Sequence, residues 1–370
     1  MKILLMGDAS NFHRALSVAL REKGHDVVVA SNGSRWMRTE RDIDISRPAW
    51  GKVGGAALWA KIQWIKRRLT GFDIVQIVNP VFVELRPEKV ARLFDHLRQN
   101  NRRVVLTALG DDTPYIRLCD DTSALAYNEW HNPDGSPTPH AANSWHLHDA
   151  WLTEPLLSHC EKVYSEIDGA TTALYEYDLA CRRTIGSDRV AYTGIPVDAQ
   201  GITPVNADSV PTRLRLFIGL QRGRMEEKGT DRLLEAAKKV AAEHPAKCEL
   251  VVVENKPYAE YIELMRSSHV MLDQIYSYTP ATNALLAMAT GLITVSGGEN
   301  DYYDFIGETE NRPIVNAVPD DDGLRRIITD IVTHPERFPE ISRRSREFVL
   351  KHNDSTVVAD RFLTFWNKIL

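Results

Sequence analysis

Short apolar runs that stop at a glycine or an aspartate, each followed by residues at helical spacing, recur along this chain almost from end to end. That alternation is the strongest constraint on its fold. A buried parallel strand reads as a continuous apolar run and needs a helical crossover to reach its neighbour. Lys2 to Met6 ends at Gly7-Asp8. Phe12, Ala15, Leu16, Val18, Ala19 and Leu20 then recur at helical spacing, and Gly24 closes that helix before a strand at Val27 to Ala30. Right-handed crossover packing puts Gly7 to Asn11 at the carboxyl edge of the sheet. The loop GDASNFH lacks the G-x-G-x-x-G spacing, so a dinucleotide fingerprint is not supported.

Further strands are expected at Asp73 to Val78, Arg103 to Thr107, Lys162 to Ser165 and Arg189 to Tyr192. A Pro- and Asp-containing stretch from Thr193 to about Pro211 reads as a domain boundary. Beyond it the alternation restarts, with strands expected at Leu214–Leu220, Glu249–Glu254, Val270–Leu272, Leu292–Val295 and Ile314–Ala317. Helices fall between them, for example Thr230–Ala242 and Tyr258–Ser267, and the tail from Pro335 is helical twice over, interrupted near His352-Asn353-Asp354. A chain of 370 residues accommodates two such domains.

Composition removes several classes of function. With 43% hydrophobic and 26% charged residues and a net charge of -5, the chain reads as soluble and globular. It offers no basic surplus for a nucleic-acid backbone. Its four cysteines lack C-x-x-C spacing, so neither a zinc site nor a disulfide framework is indicated. The opening MKILLMGDAS is too short for a signal peptide, and no run reaches membrane-spanning length. The cytoplasm is the expected compartment.

The most informative stretch is Met271 to Glu299. Its apolar run stops at Asp273-Gln274, Thr279-Pro280 reads as a helix start, and Ala284 to Ala289 forms an apolar helix ended by Gly291. The backbone N–H groups of Ala281, Thr282 and Asn283 would face a cleft and suit a phosphate; an ordinary buried crossover helix is the competing reading. Residues 56–69 form an amphipathic helix with Leu58, Ile62, Ile65 and Leu69 on one face, flanked by Trp59 and Trp64. Lys61, Lys66, Arg67 and Arg68 lie on its polar side. Packing on a sheet is the favoured role, and a weak contact with an anionic membrane surface is the alternative. From Thr113 to Glu154 the pattern is irregular and rich in Trp and His. His146-Leu147-His148 invites a metal reading, but a loop over a cleft, suited to a sugar acceptor, is favoured.

FIGLQRGRMEEKGTDRLLEA (Phe217 to Ala236), LLAMATG (Leu285 to Gly291) and YTGIPVD (Tyr192 to Asp198) resemble motifs of the GT-B glycosyltransferases, in particular their retaining, family-four-like branch. The resemblance implies an α/β chain of two Rossmann-like αβα domains facing across a cleft. Residues 1–198 would form the acceptor-side domain and 199–353 the nucleotide-sugar donor domain, with the final helix, 354–370, packing back onto the first. It implies that Arg224 and Lys228 act on the donor diphosphate, with Arg222, Thr282 and Asn283 as further donor contacts. Gly7, Asn11 and Glu299 would also meet the donor, and Asp8, His13, Asp111 and Asp112 would face the sugar or acceptor. The chain departs from the pattern at Leu286 and Tyr278, where the family has glutamates, and at Leu109, where it has a histidine.

Three functions follow as expectations. The first is transfer of a sugar from a nucleotide-sugar donor to a hydroxyl of a glycan or small molecule, with retention and without a metal or cofactor. Fixed cations and the helix end would then stabilise the leaving diphosphate. The second is a catalytically silent GT-B protein that binds nucleotide or sugar, and the third a nucleotide-sugar epimerase.

Overall fold

The computed structural model describes residues 1–205 and 209–370. Residues 206–208, inside the stretch read as the domain boundary, lie outside the described residues. Contacts divide the chain into two units.

In chain order, the elements up to residue 192 are β1 (Lys2–Met6), α1 (Phe12–Glu22), β2 (Asp26–Ser31), β3 (Ile43–Asp44), α2 (Gly51–Ile65), β4 (Ile74–Val78), α3 (Pro87–Asn100), β5 (Arg103–Ala108), α4 (Thr113–Cys119), α5 (Pro139–Leu152), α6 (Leu156–Glu166), β6 (Gly169–Thr172), α7 (Tyr175–Ile185) and β7 (Val190–Tyr192). They are followed by β8 (Leu214–Leu220), α8 (Met225–Lys228), α9 (Thr230–Glu243), β9 (Cys248–Glu254), α10 (Tyr258–Arg266), β10 (Val270–Leu272), α11 (Thr282–Thr290), β11 (Ile293–Ser296), α12 (Asn300–Phe305), β12 (Val315–Asn316), α13 (Asp321–Thr333), α14 (Phe338–His352) and α15 (Ser355–Ile369).

The first unit comprises Met1–Asp120, His146–Pro196 and Ser355–Leu370. Its seven strands run in the order β3-β2-β1-β4-β5-β6-β7, all parallel. The strand order reverses between β1 and β4, so their carboxyl ends form a topological switch point. Leu58, Ile62, Ile65 and Leu69 are buried in the core of this unit, as the favoured reading of residues 56–69 required. The final helix α15 packs on α1, with Phe12 and Phe362 rings edge to face at 6.2 Å. Trp366, fully buried, donates its indole N–H to Gln76 Oε1 at 3.0 Å. Gln76 in turn donates to the Thr107 and Thr171 hydroxyls at 2.7 and 3.2 Å, tying β4 to β5 and β6 inside the sheet's helix-covered face.

The second unit comprises Asp121–Trp145 and Val197–Asp354. Its five parallel strands run β12-β11-β10-β8-β9, with the switch point between β8 and β10. Residues 121–145 fall inside the expected first domain by sequence, yet they group with this unit.

Three sequence expectations need correction. Lys162 to Ser165 belongs to α6, and the strand follows it at Gly169–Thr172. His159, Cys160, Val163 and Tyr164 recur at i, i+1, i+4 and i+5, which buries one helical face. The irregular reach from Thr113 to Glu154 contains two helices, α4 and α5, and α5 bends at Ser144. They start on side-chain caps: Asp112 Oδ1 accepts from Tyr115 N at 2.9 Å, and Thr138 Oγ1 accepts from Ala141 N at 3.0 Å. Finally, α11 starts at Thr282 after the N-cap Ala281, not at Thr279-Pro280. Proline restricts the residue before it to extended backbone, and the Ser277 hydroxyl holds Thr279 in a turn of its own.

Candidate functional site

In the first unit, the carboxyl ends of β1, β2 and β4 enclose a cavity of about 330 Å³. Gly7, Asp8 and Ser10 line it from the first loop, Asn32 and Ser34 from the second, and Asn79 from the third. Asp8 accepts from His13 N at 2.9 Å through Oδ1 and from the Thr39 hydroxyl at 3.3 Å through Oδ2. Burial raises the Asp8 carboxyl above its ordinary value, against these bonds. Glu84 lies on the rim, accepting from Asn32 at 3.0 Å and from Arg35 at 2.9 Å. Asn79 donates to the carbonyls of Leu109 and Asp111 at 3.0 and 2.8 Å, which fixes the turn after β5.

The other first-unit candidates do not line this cavity. Asn11 adopts left-handed backbone before α1, its N–H donating to Ser34 Oγ at 3.0 Å. His13 is fully buried and its Nδ1 lies 2.7 Å from the Gly7 carbonyl. A carbonyl only accepts, so Nδ1 carries the proton. Burial pushes the His13 pKa down to about 4, and the ring is neutral at neutral pH. Its role here is to hold Gly7. Asp111 is half-buried at the turn that Asn79 fixes.

Asp112 is buried, its Oδ1 capping α4 and its Oδ2 accepting from the Tyr164 hydroxyl at 2.6 Å. Burial pushes its pKa up to about 6, against both hydrogen bonds. A carboxyl with a raised folded pKa binds its proton more tightly when folded. Its contribution to stability therefore falls as pH rises from about 4 to about 6. Asp112→Asn keeps a cap acceptor and removes the titration. Its unfolding free energy relative to the native chain should rise by on the order of 3 kcal/mol between pH 4 and pH 7. Urea titrations at both values check this, and a difference that does not move with pH contradicts it.

In the second unit the loop after β8 carries Arg222, Arg224 and Lys228. Arg222 is exposed and paired with Glu254, and Arg224 is paired with Glu227 at 2.8 Å. Lys228, half-buried, makes no ion pair among the described residues. Its backbone carbonyl accepts from Ile275 N at 2.9 Å, joining this loop to the one after β10. Gly229 follows with φ +66°, and a Cβ there would lie 2.3 Å from Ile275 Cγ1. Only glycine allows that approach and that backbone. It serves as the N-cap of α9, so Lys228 stands at that helix's positive end.

Thr282 opens α11. Asn283 is turned inward, donating to the Tyr261 hydroxyl at 2.6 Å and to Asp273 at 3.5 Å. Asp273 follows β10, is buried, and accepts from Ser296 Oγ at 3.1 Å. It lies at the switch point and was not among the candidates nominated from the sequence, although a carboxylate closing an apolar run was visible there. Glu299 is the N-cap of α12; its Oε1 accepts from the Tyr127 hydroxyl at 2.6 Å and from Asn316 at 2.8 Å. The Tyr278 hydroxyl accepts from Ala126 N at 2.7 Å, and Leu286 packs half-buried on the core around Phe217 and Met271.

Sequence reasoning also missed the arm 121–145. Besides Ala126 and Tyr127, it supplies Asn143, which donates to Glu226 at 2.9 Å beside the Arg224 pair. His146 is exposed and His148 is engaged with Asp120 at 2.8 Å, both on α5 where a loop was expected. Among the described residues no group of three or more His, Cys, Asp or Glu could hold a metal ion.

No protein-family model and no curated protein matches the chain. Solved structures do. Sucrose-phosphate synthase from Thermosynechococcus elongatus is similar at a TM-score of 0.63 and 12% identity, covering 100% of this chain and 99% of that one. HepE of Anabaena, solved in complex with UDP and glucose, gives 0.58 and 11%, covering 100% of both. A glycosyltransferase from Rickettsia africae gives 0.55 and 13%, covering 100% and 98%. At such identities the likeness is one of fold, and the chain has the GT-B fold: two Rossmann-like α/β units, one on seven parallel strands and one on five.

Proposed function

We propose that the chain is a glycosyltransferase that moves a sugar from a nucleotide-sugar donor to a hydroxyl acceptor, with retention and without a metal. The observation that carries this is Lys228: a half-buried cation without an ion pair among the described residues, at the carboxyl edge of β8, beside the switch point of its sheet and at the N-terminus of α9. Ligands of open α/β sheets bind at that edge. A diphosphate there would meet Lys228, with Arg224 available once it releases Glu227, and the N-terminal turn of α11. The fold is shared with proteins solved with UDP, which supports a uridine diphosphate sugar as the first donor to try. The first-unit cavity, with Asp8, Asn32 and Asn79, is the candidate place for a sugar or acceptor hydroxyl.

A second reading, a silent binder of nucleotide or sugar, is favoured by Tyr278 and Leu286, which stand where the family carries carboxylates. Incubation with nucleotide sugars separates the two, because a transferase slowly releases free nucleoside diphosphate even without acceptor. Binding without any release supports the silent protein.

A further inference from the structure

The helix α2 is apolar on two sides. Leu58, Ile62 and Ile65 bury one side in the core of the first unit. On the opposite side Val53, Ala57, Ala60 and Trp64 follow one another at i, i+4, i+7 and i+11, forming one stripe along the helix, and all four are exposed. Trp50, at the N-cap, extends it. Trp50, Val53 and Trp64 are 74%, 80% and 83% exposed, more than any other large apolar side chain among the described residues. Single exposed apolar residues are ordinary, but an ordered stripe flanked by polar groups marks a docking face. The face that sequence periodicity nominated is therefore the buried one, and the exposed stripe is a second feature.

The charge carried by this segment of the chain has one sign, with Asp44 and Glu84 approaching it only as partners of Lys61 and Arg35. Between Asp44 and Asp73 the chain carries Arg47, Lys52, Lys61, Lys66, Arg67 and Arg68 and no carboxylate, although its net charge is -5. Lys61 pairs with Asp44 at 2.7 Å, while Lys52, Lys66, Arg67 and Arg68 make no ion pair among the described residues. The Arg35 and Arg47 guanidinium groups lie 5.7 Å from the Trp50 ring.

We infer that this face of α2 docks on an anionic phospholipid surface, the helix lying in the interfacial plane. Trp50, Val53 and Trp64 enter the acyl boundary, and Lys66, Arg67 and Arg68 meet lipid phosphates. Tryptophans at both ends of the stripe suit the headgroup level, and the one-signed cations complement anionic lipid. A second copy of this chain fits poorly, because a two-fold contact sets the cations against themselves. The inference is independent of the donor-site reading.

The test is flotation of the full chain with vesicles of phosphatidylcholine alone and of phosphatidylcholine mixed with phosphatidylglycerol. The native chain should float with the mixed vesicles at moderate salt and detach as salt rises. Trp50→Ala with Trp64→Ala should lower partitioning roughly tenfold or more. Arg67→Gln with Arg68→Gln should weaken binding to mixed vesicles and leave phosphatidylcholine unaffected. These side chains are exposed, so both variants should melt like the native chain. Failure to float with mixed vesicles overturns the inference, as does equal binding to both vesicle types or native partitioning of the tryptophan variant. A concentration-dependent dimer abolished in that variant assigns the face to self-association instead.

Discussion

Replacing Lys228 by alanine should lower turnover on the order of a hundredfold while weakening donor binding far less. As the glycosidic bond breaks, negative charge grows on the leaving diphosphate oxygen. A fixed cation therefore interacts more strongly with the transition state than with the bound donor. Lys228 suits that task better than its neighbours. Arg222 and Arg224 already have carboxylate partners, and a phosphate would have to compete with Glu254 and Glu227 for them. Lys228 has none among the described residues, and Gly229 and the bond to Ile275 N hold its backbone in place. Lys228→Arg should keep part of the activity, because charge survives while geometry shifts. The measurement is steady-state release of nucleoside diphosphate alongside donor affinity by calorimetry. Unchanged turnover in Lys228→Ala makes the lysine a surface charge and removes the donor-site assignment.

Trp366→Ala should destabilise the chain by about 3–5 kcal/mol, the usual cost of deleting a buried aromatic side chain. The indole is fully buried on the last helix and is also a hydrogen-bond donor to Gln76. Trp366→Phe separates the two contributions. It retains most of the packing and leaves Gln76 Oε1 without its indole donor, at a cost of about 1–3 kcal/mol. Chemical denaturation followed in the first unit reads both. A Trp366→Phe variant as stable as the native chain means that the Trp366–Gln76 bond contributes nothing.

The sheet strands were legible because parallel strands covered on both faces are nearly all apolar and end abruptly. Lys2–Met6 and Leu214–Leu220 are such cases. Where a run is short, periodicity fails. Lys-Val-Tyr-Ser at 162–165 has the β-branched and aromatic content of a strand, but it completes the buried face of α6. The arm 121–145 was not legible for a different reason. Its partners Tyr278, Glu299 and Glu226 are remote in sequence, and each contact is a single hydrogen bond that no local pattern announces. Of the candidate site, the backbone around Lys228 was legible. A lysine before a glycine that opens a helix has a physical signature, and Gly229 has the positive φ that signature needs. The burial of His13 and Asp112 had no such sign, since a polar residue at a sheet edge reads alike whether it faces a ligand or caps a helix. Trp64 was seen as a flank of the buried face, while its own exposed stripe with Val53 went unread, because the helix is apolar nearly all round.

The most direct test of the glycosyl-transfer claim is release of free nucleoside diphosphate from a panel of nucleotide sugars, measured with a chelator present. Donors are first ranked by their effect on melting temperature, since a ligand that binds the folded chain raises it by mass action. The donor with the largest shift should be cleaved, cleavage should persist with metal removed, and Lys228→Ala should slow it on the order of a hundredfold. A donor that stabilises the protein but is never cleaved, or one cleaved only when a divalent metal is restored, contradicts that claim.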